Sequence, residues 1–118
     1  MTINDVKKIL NAEIICGEEH LQRAVHNACG SDMMSDVLAF VKDQSVLITG
    51  LCNPQVIRTA EMMDIICICF VRGKVPDAAM IELAKERDIV LMGTTMRMFS
   101  ACGVLYEQGL GRGANQCV

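Results

Sequence analysis

Seven cysteines, two histidines and a few serines and threonines are the residues of this 118-residue chain best suited to chemistry. A nucleophilic cysteine needs a histidine in contact to take its proton. Cys29 follows His26 by three residues, a separation that in a strand throws the two side chains to opposite faces. Ser31, Ser35, Thr94 and Thr95 have no evident base and are placed for helix capping instead. Structural zinc asks for four ligands in two close pairs. Cys16, Cys29, Cys52, Cys67, Cys69, Cys102 and Cys117 contain no C-x-x-C pair, and His20 and His26 have no paired cysteines nearby. Cys67 and Cys69 share one strand face inside the most apolar run of the chain, where a thiol acts as a small core side chain. Iron–sulfur ligation needs four converging thiolates. Cys29, Cys52 and Cys102 can approach one edge of a sheet, without a cluster spacing. The G-x-x-x-x-G-K-[ST] loop of nucleoside-triphosphate enzymes is absent. Gly109-Leu-Gly-Arg-Gly113 is glycine-rich but opens no clear helix, and reads as tail.

What remains is a set of turns. Gly30-Ser31, Gly50-Leu51-Cys52-Asn53, Arg72-Gly73-Lys74 and Gly93-Thr94-Thr95 each follow an apolar run and precede a helix-like stretch. Helix N-termini present unpaired N–H groups and a partial positive charge, so an edge built from such turns can hold a small anion. Arg72 and Lys74 add full charges. The candidate ligand-binding residues are Ser31, Gly50, Cys52, Asn53, Arg72, Gly73, Thr94 and Thr95. The plainer alternative is that these are simply efficient turns.

The elements that must position them follow from hydrophobic pattern. Three apolar runs end in glycine, Val46–Gly50, Ile65–Gly73 and Ile89–Gly93, and each leads into an amphipathic stretch. Their spacing suits strand, turn, helix and return, hence consecutive βα units in a parallel sheet. Ile65–Val71 is apolar on both faces, as a central strand covered on each side must be. Asn53-Pro54 and Pro76-Asp77 open helices, the first with an N-cap side chain before proline at the first helical position. Val56, Ile57, Ala60 and Met63 make one inner face, and Met80, Leu83 and Ala84 the next. Gly30-Ser31-Asp32 opens a helix capped by Ser31 or Asp32, with Met34, Leu38 and Val41 as its buried stripe. A last helix carries Met98, Cys102 and Leu105 inward and stops at Gly109. Ahead of these units, a helix capped by Thr2 and Asp5 buries Val6, Ile9 and Leu10. A short strand spans 12–16, and alternation predicts a further strand over 20–29. The expected architecture is a three-layer α/β/α sandwich with a mainly parallel sheet of four to five strands. One domain is expected over 1–109, with a flexible tail over 110–118.

Composition narrows the function classes. The chain is 52% apolar, carries a net charge of −3 and has only one tyrosine and three phenylalanines. No basic stripe or stacking platform suits nucleic acid. The longest apolar run falls far short of the roughly 20 residues that span a bilayer. The first residues lack an apolar signal core, so a cytoplasmic location is expected. An odd number of cysteines without paired spacing fits free thiols in a reducing compartment.

From about His20 to Gly109 the sequence resembles the DRTGG domain family, and through it the N-terminal domain of HPr kinase/phosphorylase. The resemblance rests on Cys29-Gly-Ser-Asp-Met-Met34, Val46-Leu-Ile-Thr-Gly50, Cys69-Phe-Val-Arg-Gly73, the stretch Val75–Met92 and the Thr94–Leu105 helix. The chain departs from the pattern at two turns. Leu51-Cys52-Asn53 stands where the family's Asp-Arg is expected, and Arg72-Gly73-Lys74 where a Thr-Gly-Gly-like sequence is common.

The resemblance implies a non-catalytic regulatory or adaptor module acting through homodimerisation and protein contacts. It also implies a separate kinase domain absent from this chain, and no cofactor. The small single-domain variants it looks most like are associated with iron-hydrogenase and other redox gene neighbourhoods in anaerobic bacteria. The expected ligand is a small anion or nucleotide at the C-terminal edge of the sheet. The alternative is a redox-responsive thiol or iron–sulfur accessory protein using Cys29, Cys52 or Cys102.

Overall fold

A computed structural model describes residues 1–40 and 44–110. The chain opens with helix α1 (Ile3–Leu10), whose start is fixed reciprocally: Thr2 Oγ1 accepts the Asp5 N–H at 3.2 Å, and the Asp5 carboxylate accepts the Thr2 N–H at 2.9 Å. These hydrogen bonds hold the Asp5 carboxyl below its ordinary pKa. The helix ends at Asn11 in the left-handed conformation (φ 50°), with the N–H groups of Asn11 and Ala12 returning to Lys8 and Lys7. Strand β1 (Glu13–Cys16) follows, then a short 3-10 turn (Glu18–His20).

Four parallel strands come next, β2 (Asn27–Gly30), β3 (Ser45–Thr49), β4 (Ile65–Phe70) and β5 (Val90–Gly93). Helices α2 (Met34–Phe40), α3 (Pro54–Met62) and α4 (Ala78–Glu86) make the crossovers between them, and α5 (Met98–Glu107) closes the fold. The sheet order is β1-β5-β4-β3-β2, with β1 antiparallel to β5 at one edge.

The three layers follow from strand alternation. Val46, Ile48, Cys67, Cys69, Val90 and Met92 face α1 and α5, packing on Ile3, Val6, Leu10, Ala101 and Leu105. Leu47, Ile68, Phe70 and Leu91 face the other way, onto Met34 and Val37 of α2, Val56, Ile57 and Ala60 of α3, and Met80 and Ala84 of α4. Every residue of β3 and β4 is buried, as a strand covered on both faces requires. Cys67 and Cys69 are fully buried core side chains, as expected.

Three expectations need correction. The segment after the 3-10 turn joins the sheet only over Asn27–Gly30. Ahead of it, the chain pairs with the N-terminus instead: Ile3 N donates to Arg23 O, Asn4 N to Leu21 O and Val25 N to Met1 O, with Thr2 bridging Ala24 antiparallel. Helix α2 buries Met34 and Val37, one turn apart, and leaves Leu38 exposed; Val41 lies outside the described residues. Leu110 is buried, so packing continues past residue 109. Gly109 (φ 101°) ends α5 by sending its N–H to Tyr106 O, while Leu110 N reaches Leu105 O. The rest of the expected tail, 111–118, lies outside the described residues.

Candidate functional site

Because β2–β5 are parallel, the turns after Gly30, Thr49, Phe70 and Gly93 line up along one rim of the sheet. Strand β1 runs the other way, so its start, Glu13, pairs with Gly93 and joins the same rim. The eight candidate residues divide into three groups there.

The first group is engaged in building helices. Ser31 N donates to Ile48 O, and Ser31 Oγ accepts the Met33 N–H at 3.0 Å. Asn53 Oδ1 accepts the Gln55 N–H at 3.0 Å, opening α3 ahead of Pro54. Cys52 stands beside Asn53, half-buried. Burial pushes its thiol pKa up, Asp77 adds to the rise, and Lys74 opposes it.

The second group surrounds Gly50. Its N–H donates to Asp32 Oδ1 at 2.7 Å, and the same oxygen accepts the Thr49 hydroxyl at 3.0 Å. The Arg72 guanidinium lies against the Gly50 Cα: a Cβ added there would meet Nη2 at 2.5 Å. Glycine leaves the guanidinium this space. Arg72 itself is left-handed (φ 58°), held by its N–H to Met96 O at 2.8 Å. Its guanidinium is exposed and forms no ion pair with any described residue. The sequence lacks the family's Asp-Arg after this strand, yet Asp32 and Arg72 bring one carboxylate and one guanidinium to Gly50 from the neighbouring turns.

Gly73, Thr94 and Thr95 form the third group, in a cavity of about 380 Å³ that Asn11, Glu13, Ile15, Lys74, Val75 and Gly93 complete. Thr94 is its anchor: buried, donating to Leu10 O at 2.8 Å and accepting from Met96 N at 3.2 Å. Gly73 N donates to Thr94 O at 2.9 Å. The Thr94 hydroxyl and the Gly73 N–H thus lock the two rim turns and the end of α1 together. Thr95 is exposed on the same wall.

Sequence reasoning missed Asn11 and Glu13, which come from the N-terminal piece. A second cavity, about 340 Å³, lies on the α5 face over Ala28, Gly30 and Ile48. Cys102 and the exposed Phe99 and Tyr106 edge it.

The three partly exposed thiols do not meet at one place. Cys29 and Cys102 both line the cavity on the α5 face, near enough for Cys102 to add to the rise in the Cys29 pKa, while Cys52 stands apart at the start of α3. Burial is the leading cause raising the pKa of all three, which lowers their thiolate fraction. Among the described residues, no three of His, Cys, Asp and Glu are arranged to hold a metal.

Residues 5–106 match the family model of the DRTGG domain. This chain belongs to the DRTGG domain family. The match spans all five strands and all but the first two residues of α1 and the last of α5. The DRTGG fold is shared with a solved structure described as the CBS and DRTGG domains of the regulatory region of Clostridium perfringens pyrophosphatase, complexed with its activator diadenosine tetraphosphate. The TM-score is 0.69 at 18% identity, over 88% of this DRTGG chain and 45% of that one. The chain described here therefore spans less than half the length of that neighbour. No curated protein sequence matches it. No helix among the described residues is long and apolar enough to cross a membrane.

Proposed function

We propose that this DRTGG domain is a regulatory module that carries out no chemistry itself, binds a small anionic or nucleotide ligand at the C-terminal rim of its sheet, and acts through homodimerisation and contacts with a protein partner in the cytoplasm. The observation that carries the reading is the Arg72 guanidinium, exposed and without a carboxylate partner among the described residues, lying over Gly50, where the missing Cβ leaves it room against the backbone. With the Gly50 and Leu51 N–H groups already spent on Asp32 and Thr49, the guanidinium itself is the donor that would seat a phosphate or carboxylate oxygen. The ligand of the solved neighbour, diadenosine tetraphosphate, is a nucleotide, which supports a nucleotide as the first candidate. The rim has no nucleophile–base pair among the described residues, which supports a sensing role over catalysis.

The test is a titration of the 15N-labelled chain with diadenosine tetraphosphate, ATP and inorganic phosphate. Binding at the rim shifts the amides of Gly50, Arg72 and Gly73, and Arg72→Ala weakens it at least tenfold. If none of the three probes moves these amides at millimolar concentration, the ligand part of the proposal falls and the protein-contact role remains. Sedimentation equilibrium tests the dimer independently.

A further inference from the structure

The cavity between β1, β5 and the turn after β4 has a chemistry of its own. Its walls are fixed before any ligand arrives. Asn11 is held left-handed by the end of α1, Thr94 ties Leu10 to the β5 turn, and Gly73 is bonded to Thr94. Pre-formed walls spare a ligand the cost of ordering them. Within these walls Thr94 has spent its hydroxyl and Gly73 its N–H. Four side chains have not: the Asn11 amide, the Glu13 carboxylate, the Lys74 ammonium and the Thr95 hydroxyl make no hydrogen bond or ion pair with any described residue. The apolar lining comes from Ile15 and Val75, and at Gly93 a Cβ would sit in ordinary contact with Ile15 Cδ1 and Lys74 O, each at 3.7 Å.

One positive and one negative group in a single cavity, unpaired with each other, select against a ligand of one sign. A polyphosphate that reached Lys74 would meet the Glu13 carboxylate, and a simple amine on Glu13 would meet Lys74. A ligand carrying both an ammonium and a carboxylate satisfies both. The cavity has room for such a molecule with an apolar side chain against Ile15 and Val75, within the usual range of small-molecule sites. We infer that this cavity binds a small zwitterion of the amino-acid class, its carboxylate toward Lys74 and Thr95 and its ammonium toward Glu13 and the Asn11 amide oxygen. The inference rests on the reading of the rim as a regulatory ligand site, and it places a zwitterion seat beside the anion seat at Arg72.

The experiment is an amide-shift titration of the full chain with the twenty common amino acids at millimolar concentration, with inorganic phosphate and ATP run in parallel. For any amino acid that binds, the matching carboxylic acid without the amine and the amine without the carboxylate are added as controls. At least one amino acid moves the amides of Ala12, Lys74, Gly93 and Thr95, and both truncated analogues bind at least tenfold more weakly. Glu13→Gln and Lys74→Met each weaken binding at least tenfold while leaving the thermal midpoint within a few degrees, since both side chains are exposed. Equal binding of the deaminated acid overturns the inference, as does an amino-acid response that survives both substitutions. If phosphate or ATP shifts Gly50 and Arg72 while no amino acid shifts the cavity, this inference fails and the anion reading stands. If no probe shifts either place, both fail.

Discussion

The Asp32 carboxylate accepts the Gly50 N–H at 2.7 Å, so a residue that begins one crossover holds the end of the next strand. The same oxygen takes the Thr49 hydroxyl at 3.0 Å, and that hydroxyl's oxygen accepts the Leu51 N–H at 3.1 Å. A single carboxylate therefore sets the backbone on which the Arg72 guanidinium rests.

Replacing Asp32 with alanine removes two charge-assisted hydrogen bonds at a partly solvated site and costs about 1–3 kcal/mol. The Asp32→Asn change keeps an acceptor for the Gly50 N–H and costs less than half as much. Urea unfolding of the two variants checks the order. Equal stability of wild type and Asp32→Ala would remove the clamp from the account.

Two glycines face equally tight contacts with opposite consequences. A Cβ on Gly50 would meet the far end of Arg72, a long side chain that swings into solvent, so Gly50→Ala costs under about 1 kcal/mol. A Cβ on Gly30 would clash with Cys102 Sγ, which belongs to a short side chain of α5 packed against the core. Gly30→Ala costs about 1–3 kcal/mol, the range for overpacking. Cys102→Ala in the same chain recovers most of that loss. A double-mutant cycle by urea unfolding measures the coupling; additive effects at Gly30 and Cys102 would contradict the contact.

The repeated βα units were legible because their signals are local. Asn53 before Pro54, Asp77 capping the Met80 N–H, and glycine after each apolar run dictate helix starts and turns through a few neighbouring residues. The layering followed from alternation along β3, β4 and β5. What failed was non-local. The alternating pattern after His20 is a turn over residues 21–23 and then a bridge at Ala24 whose partner is the N-terminus and not the sheet, and nothing in residues 21–26 names that partner. Leu38 fits a helical stripe as well as Val37 does, and only the position of the sheet decides between them. Ser31 and Asn53 entered the candidate site because caps and anion ligands use the same residue types. Asn11 and Glu13 escaped it because β1 reaches the rim only by running antiparallel to β5, a direction four residues do not encode.

The buried thiols make stability depend on alkaline pH. Burial raises Cys69 to about 12 and Cys67 well above its ordinary value near 9.0. Below pH 9 these thiols are neutral in folded and unfolded chains alike, so stability is independent of them. Above pH 9 the unfolded chain loses their protons while the folded chain keeps them, and the stability is lost as pH rises toward the folded value. Each such thiol adds a downward slope of up to about 1.4 kcal/mol per pH unit. Urea midpoints between pH 7 and 10.5 show the fall, and Cys69→Ala makes it shallower whatever its effect at pH 7. An unchanged slope would exclude Cys69 as a contributor.

Thr94 joins three parts of the molecule through one hydroxyl, from Leu10 at the end of α1 to Met96 ahead of α5. Thr94→Val preserves shape but leaves the buried Leu10 carbonyl and the Met96 N–H without this partner, a loss of about 1–3 kcal/mol. Thr94→Ser keeps both bonds and gives up only a methyl group, at about 1 kcal/mol or less. The two substitutions also separate stability from organisation. Hydrogen exchange at Ala12, whose N–H closes α1 on Lys7, accelerates in Thr94→Val beyond the global loss, because the end of the helix is released from the rim. In Thr94→Ser it tracks global stability. If exchange at Ala12 follows global stability in both variants, the hydroxyl supplies stability without coupling α1 to the cavity, and the pre-formed wall at Asn11 must be held by the helix end alone.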